Sequence, residues 1–297
     1  MYFGKRMNRS LTDRTPWRLA LAFTLCAVFI AGADTITLSP VADAEIREDT
    51  PTSNFGTGAT MGSGGQGDTS LNAIRRALLR FDLTGQIPAG SIVTAVSLSV
   101  TVVRQPLSPV NSDFELHRLL RPWTETKVTW MWTSYPLAPW GTAGATNESD
   151  IVLDPTASVP VTGLGTYTFS SSNLLADVLL WLTNSNANKG WLLVSHTEAA
   201  YTARQFGTRE DTVNFPRLTI EFIAPAQPLL FPFKGDGVMQ IVFDVQAGFP
   251  YTLEFRDSFS TNGWVTVTNF PPESDNSFII FDAPTTNRQG YYRVRTP

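Results

Sequence analysis

The chain of 297 residues carries 22 Lys and Arg against 26 Asp and Glu, a formal net charge of −4, with a single cysteine. An acidic balance argues against nucleic acid as a partner, and it gives no general attraction to anionic glycans, so binding those requires a local basic cluster. One cysteine excludes an internal disulfide and cysteine-based metal sites.

In chain order, the first element is a targeting segment. Lys5, Arg6, Arg9, Arg14 and Arg18 precede an uncharged apolar run from Leu19 to Ile30, the layout of a signal peptide. Ala31-Gly32-Ala33 supplies the small residues a signal peptidase reads, which places the mature start at Asp34. The alternative is a membrane anchor, but the run is shorter than the roughly 20 residues a span needs. Cys26 would suggest a lipoprotein, yet bulky Leu25 stands where lipidation wants a small residue. Cleavage removes five of the 22 basic residues and one of the 26 acidic ones, leaving 17 against 25, a net charge of −8. The expected location is outside the cell or on its surface, with no membrane contact after cleavage.

From Thr35 onward short apolar/polar alternations are separated by Gly, Pro, Asn and Ser clusters, the pattern of half-buried antiparallel strands. Leu79, Phe81 and Leu83 alternate with Arg80 and Asp82, and Val96 to Val102 sets Val, Leu, Val and Val against Ser97, Ser99 and Thr101. A one-residue slip there would bury the hydroxyls. Leu175, Val178, Leu179 and Leu182 then recur at helical spacing behind Ser172 and Asn173, either of which can cap, so one short helix is expected. Trp191-Leu192-Leu193-Val194 reads as a buried strand, and Leu218, Ile220 and Phe222 as another alternating one. Ala224-Pro225-Ala226-Gln227-Pro228 is a linker by its proline spacing. Beyond it, Met239-Ile241-Phe243, Tyr251-Leu253-Phe255 and Trp264-Val265-Thr266-Val267 outline a second all-β unit of about 70 residues, marginal alone. The fold class is all-β, a β-sandwich with one short helix plus a small second domain. The expected organisation is a signal peptide over 1–33, a first domain over 34–223, a linker over 224–228 and a second domain over 229–297.

Ordered pieces of the first domain carry a resemblance: Leu38-Ser39-Pro40 with Asp43-Ala44-Glu45-Ile46, Asn54-Phe55-Gly56, Ala77 to Leu83, Ile87-Pro88-Ala89-Gly90, Trp123-Thr124-Glu125 with Val128-Thr129-Trp130, Asn188-Lys189-Gly190-Trp191, Arg209-Glu210 and Pro216-Arg217-Leu218. Over roughly Ile36 to Phe222 the chain resembles the DNRLRE-type carbohydrate-binding-module-like jelly rolls of secreted bacterial and archaeal proteins. Lys189 departs from the asparagine common there, and the helix lacks the usual aspartate-valine-threonine lead-in. The end of the chain, with Tyr251 to Ser258, Trp264 and Tyr291 to Arg295, looks like a small β module of secreted proteins from Verrucomicrobia-like bacteria. The resemblance implies a jelly roll that binds polysaccharide, acidic glycans such as alginate among them, without cutting it. Other cell-surface proteins are conceivable partners through the second domain.

Sugar sites use flat aromatic faces with charged or amide groups reading the hydroxyls and carboxylates. Trp132, Tyr135 and Trp140 lie in a long Pro- and Gly-containing loop, Met131 to Gly144, and either form such a platform or cap the end of the sandwich. Trp123 and Trp130 belong to the core framework. Arg75-Arg76, Arg204 and Arg209 are the concentrated cations of the first domain and can grip carboxylates; the structural alternative pairs Arg209 or Arg80 with Asp82 or Glu210. A structural calcium ion would want six to eight oxygens, some from Asp43, Glu45 and Asn54, although Asp43 alternatively caps a turn. Two rivals stand beside the binding module. One is a structural or adhesive surface protein without glycan specificity. The other is a β-sandwich polysaccharide lyase using Tyr201, His196 and Arg204, the nearest such cluster in sequence.

Overall fold

A computed structural model describes residues 32–67, 74–235, 238–257, 263–283 and 290–296. The expected signal peptide and Cys26 lie outside the described residues. Among the described residues no helix is long and apolar enough to cross a membrane.

The first eleven-stranded sheet is built from β1 (Asp34–Leu38), β2 (Ala42–Arg47), β3 (Thr60–Gly65), β4 (Ile74–Arg80), β5 (Ile92–Arg104), β6 (Ser112–Arg118), β9 (Ala157–Val161), β10 (Gly165–Phe169), β11 (Trp191–Ser195), β12 (Arg204–Gly207) and β13 (Arg217–Ile223). A two-stranded hairpin, β7 (Trp132–Ser134) with β8 (Ala138–Pro139), and one helix, α1 (Ser172–Thr183), complete this part. The order is β1-β13-β5-β12-β3-β4-β11-β6-β9, with β10 beside β5 and β2 beside β4. β3 is the corner. Its first residues pair with β12 and its last two, Gly64 and Gly65, with β4, so the sheet curls into two facing layers. The chain is an all-β sandwich, as the alternation required.

The core between the layers takes Val93, Val96, Leu98, Val100 and Val102 from β5, and Leu218, Ile220 and Phe222 from β13. Val93 and Val96 are three apart yet face the same way because the register shifts opposite Glu221 and Phe222, and the extra residue in β5 restores the inward phase. The run Ala77-Leu78-Leu79 in β4 is apolar at every position because both faces are covered: Ala77 and Leu79 enter the main core, whereas Leu78 joins a second one. That second core lies on the outer face of β2, β4 and β11, where Ala42, Ala44, Ile46, Leu78 and Leu192 meet Leu119, Trp123, Val128, Trp130, Trp140, Ala145 and Ile151. The long connection from β6 to β9 is therefore a packed third layer.

α1 differs in detail from the periodicity reading. Its cap is Ser171, whose Oγ accepts from the Leu174 N–H at 2.9 Å. Its buried face is Leu174, Asp177, Val178 and Trp181, while Leu179 is exposed. Asp177 tips the balance toward this face, since its Oδ2 accepts from Thr156 at 2.8 Å and from the Trp191 indole at 2.9 Å, and its Oδ1 pairs with Arg118 at 2.8 Å. An indole stack of Trp181 on Trp191, 4.4 Å between centroids, closes the contact. Gly190 precedes Trp191 with φ +81°, and a Cβ there would lie 2.0 Å from the Leu79 carbonyl oxygen. Gly190→Ala is expected to cost about 2 kcal/mol from backbone and steric strain together, read as a lowered urea midpoint at unchanged slope; an unchanged midpoint would contradict this.

The rest forms two three-stranded sheets, β14 (Leu230–Gly235), β15 (Val238–Val245) and β18 (Ser277–Ala283) in the order β14-β15-β18, and β16 (Tyr251–Arg256), β17 (Val265–Phe270) and β19 (Tyr291–Arg295) in the order β17-β16-β19. Ile241, Phe243, Val245, Phe249, Tyr251 and Leu253 form their own core. The proline-spaced segment is tied to this part by Gln246, which accepts from the Ala226 N–H at 2.7 Å and donates to the Ala224 carbonyl at 3.1 Å.

Candidate functional site

The third layer holds up the β7–β8 hairpin. Met131 N–H donates to the Pro51 carbonyl, Thr124 N–H to Thr133, and Tyr135 N–H to Lys127, so the hairpin is anchored on three sides. Asn54 fixes the segment beneath it, its Nδ2 donating to the carbonyls of Glu125 and Val128, each at 2.7 Å. Asp150, fully buried, accepts from the N–H groups of Gly141 and Thr142 at 2.7 and 2.9 Å and pairs with Arg121 at 2.9 Å, pinning the exit. A loop bonded this way presents its side chains in a fixed arrangement rather than as a flexible tip.

The three aromatic candidates separate. Trp140 is 5 % exposed and its indole donates to the Thr129 carbonyl at 3.0 Å, so it is a foundation of the second core. Trp132 is half-buried and Tyr135 is 47 % exposed, and their rings meet edge to face, 5.8 Å apart at 85°. Met131 and Leu137 are exposed beside them. Trp123 and Trp130 are buried in the second core.

Arg75, Arg76, Arg204 and Arg209 all have protein partners, Arg76 binding Glu198. Arg75 pairs with Glu45 at 2.8 Å and Asp49 at 3.1 Å. Arg204 is fully buried, with its Nη atoms donating to the carbonyls of Thr202, Ala203 and Val110; burial lowers its pKa. Arg209 holds Glu125 with two bonds of 2.8 Å and touches Glu210 at 3.2 Å, the structural pairing that sequence offered as an alternative, and 37 % of its side chain stays exposed. The bond to Glu125 raises its pKa. Sequence reasoning overlooked Lys127, exposed in the segment that anchors Tyr135.

The calcium candidates are likewise occupied. Asp43 lies within β2 rather than at a turn, and its Oδ2 accepts from the Arg209 N–H at 2.7 Å. Glu45 receives Arg47 and Arg75, and the Asn54 Oδ1 accepts from Gly56 N–H at 3.3 Å. Oxygens engaged with guanidinium and N–H donors are poor members of a six- to eight-oxygen cage. Among the described residues no group of three or more His, Cys, Asp or Glu is placed to hold a metal ion.

A shallow groove of about 280 Å³ is lined by His196 with Asn111, Ser112, Asp113, Thr162 and Thr197, and by neither Tyr201 nor Arg204. The His196 Nδ1 lies 2.8 Å from Glu115. His117 alternates with Phe114 and Leu116 along β6 and so faces away from the main core, and it is buried because the chain at Val152 covers that face.

A family model, carbohydrate-binding module family 96, matches residues 34–150. The match supports a carbohydrate-binding-module-like β domain, and that family is one of binding modules rather than catalysts. Its span contains Trp132, Tyr135 and the whole third layer up to Asp150, and stops short of the sandwich strands β9 to β13. No curated protein matches the chain.

Proposed function

We propose that this is a secreted, non-catalytic protein that binds extracellular polysaccharide through the β7–β8 hairpin. The observation that carries the reading is the edge-to-face pair of half-buried Trp132 and exposed Tyr135 on a rigidly bonded hairpin inside the span that matches a binding-module family. Two rings held at a fixed angle offer an apolar face to a sugar ring without an ordering cost on binding. Lys127, whose carbonyl accepts from the Tyr135 N–H, and Arg121, which donates to the Pro139 carbonyl of β8 and is 40 % exposed, are cations bonded directly to this hairpin, and they favour polymers bearing carboxylates. The DNRLRE resemblance supports the same ligand class.

Affinity gels containing neutral or acidic polysaccharides test this with residues 34–297. Retardation on one polymer is expected, weakened by about tenfold or more in Trp132→Ala/Tyr135→Ala and unaccompanied by unsaturated products. Retardation untouched by the double substitution would contradict the hairpin site, and product release would contradict the non-catalytic reading.

The structural or adhesive reading is favoured by one feature. Phe231, Val242 and Ile280 sit in register across β14, β15 and β18, with Phe231 37 % and Ile280 54 % exposed, and Leu229 nearby is 48 % exposed. Such an apolar row suits a protein partner. Absence of retardation on every polymer together with self-association in sedimentation would favour it.

A further inference from the structure

The β17-β16-β19 sheet turns one face to its core and the other outward. Leu253 and Val294 enter the core, so by alternation Thr252, Glu254 and Arg256 on β16 and Tyr291, Arg293 and Arg295 on β19 share the outer face. The registers set Arg256 opposite Tyr291, Glu254 opposite Arg293, and Thr252 opposite Arg295. Arg293 and Arg295 thus both reach one carboxylate, Glu254, in a chain whose net charge is −4. The carboxylate is buried beneath them, Glu254 being 7 % exposed against 43 % for Arg293 and 64 % for Arg295. Glu254 binds the Nε of Arg293 at 2.5 Å, which fixes that guanidinium and leaves its terminal nitrogens outside the bond, while Arg295 approaches only to 3.7 Å. The Arg293 guanidinium lies over the Trp264 ring, 4.4 Å from its centroid. A guanidinium held flat by a ring and a buried carboxylate is a preorganised fork for an anion.

We propose that this outer face is a second ligand surface, for a polyanionic glycan, with Arg293 and Arg295 gripping carboxylate or sulfate groups and Trp264 and Tyr291 lining the approach. It lies outside residues 34–150 and does not rest on the hairpin. Charge complementarity sets the class, because the local arginine excess answers only an anionic ligand. The ring beside it suits a sugar polymer, whose apolar ring faces alternate with its charges.

The test uses residues 34–297 carrying Trp132→Ala/Tyr135→Ala, so that binding at the hairpin is weakened, on affinity gels containing polygalacturonate. Salt-sensitive retardation is expected. Arg295→Gln, which keeps the Arg293–Glu254 bond, is expected to weaken it about fivefold, the effect of one exposed ionic contact, and Arg293→Gln/Arg295→Gln to abolish it. Circular dichroism on each variant verifies the fold. No retardation of the parent, or retardation equal in the parent and Arg295→Gln, overturns the proposal, as does binding of single-stranded DNA in preference to polygalacturonate.

Discussion

Replacing Arg76 with alanine is expected to destabilise the protein by about 3–5 kcal/mol, because it strands a largely buried carboxylate and breaks a three-way clamp. Arg76 is 6 % exposed. Its Nε and Nη2 each bind Glu198 at 2.7 Å, its Nη1 donates to the Gly144 carbonyl at 2.5 Å, and its guanidinium stacks 4.8 Å from the Trp130 ring centroid. One side chain on β4 therefore ties the third layer to the segment after β11. Gly144 is the only residue that fits, since a Cβ there would lie 2.3 Å from the guanidinium. Arg76→Lys keeps the charge but loses the two-pronged bond to Glu198 and is expected to recover only part of the loss. Urea denaturation followed by tryptophan fluorescence measures both, and a wild-type midpoint for Arg76→Ala would contradict the clamp.

The second large effect is on pH dependence. Burial pushes the Asp43 carboxyl up to about 7, with Glu210 and Glu125 adding repulsion and the Arg209 N–H and its charge opposing. A folded-state pKa above the unfolded value of 3.8 means that the folded protein binds the proton more tightly. The corresponding stability is fully present below about pH 4 and is lost as pH rises to about 7, a change on the order of a few kcal/mol. Asp43→Asn keeps a side-chain oxygen for the Arg209 N–H and removes the titration. Melting temperatures from pH 4.5 to 8 are therefore expected to show wild type losing ground to the variant as pH rises, whereas parallel curves would contradict a protonated Asp43.

Alternation made the sandwich legible, since each of β5 and β13 exposes one face and buries the other. The unbroken run Trp191-Leu192-Leu193 also marked β11 as buried, whereas the double cover of Ala77-Leu78-Leu79 in β4 was hidden behind the alternation of Leu79, Phe81 and Leu83. What covers them was not legible, because the third layer is held by backbone bonds and buried carboxylates such as Asp150 rather than by any periodic pattern. The helix face is shifted from the apolar spacing rather than lost, with Val178 in the core and Leu175 and Leu182 packed on it but Leu179 exposed, because Asp177 is drawn inward by Thr156, Arg118 and Trp191, partners distant in sequence. Composition alone could not separate Trp132 from Trp140. The indole bond of Trp140 to Thr129 and the edge-to-face contact of half-buried Trp132 with Tyr135 both depend on how the hairpin folds back. The basic face around Arg293 is visible in sequence as Tyr291-Tyr292-Arg293-Val294-Arg295, but its meaning needed the pairing with β16 and the stack on Trp264.

The central claim, that a polysaccharide lies on the hairpin, is tested most directly by the indole N–H resonances of the seven tryptophans in residues 34–297. Trp123, Trp140 and Trp191 have their indoles bonded internally to Lys189, Thr129 and Asp177 and serve as fixed references. On titration with the polymer that retards the protein, the Trp132 resonance is expected to shift or broaden, with those three unchanged. A Trp132 resonance that stays in place while the polymer is bound would contradict the account.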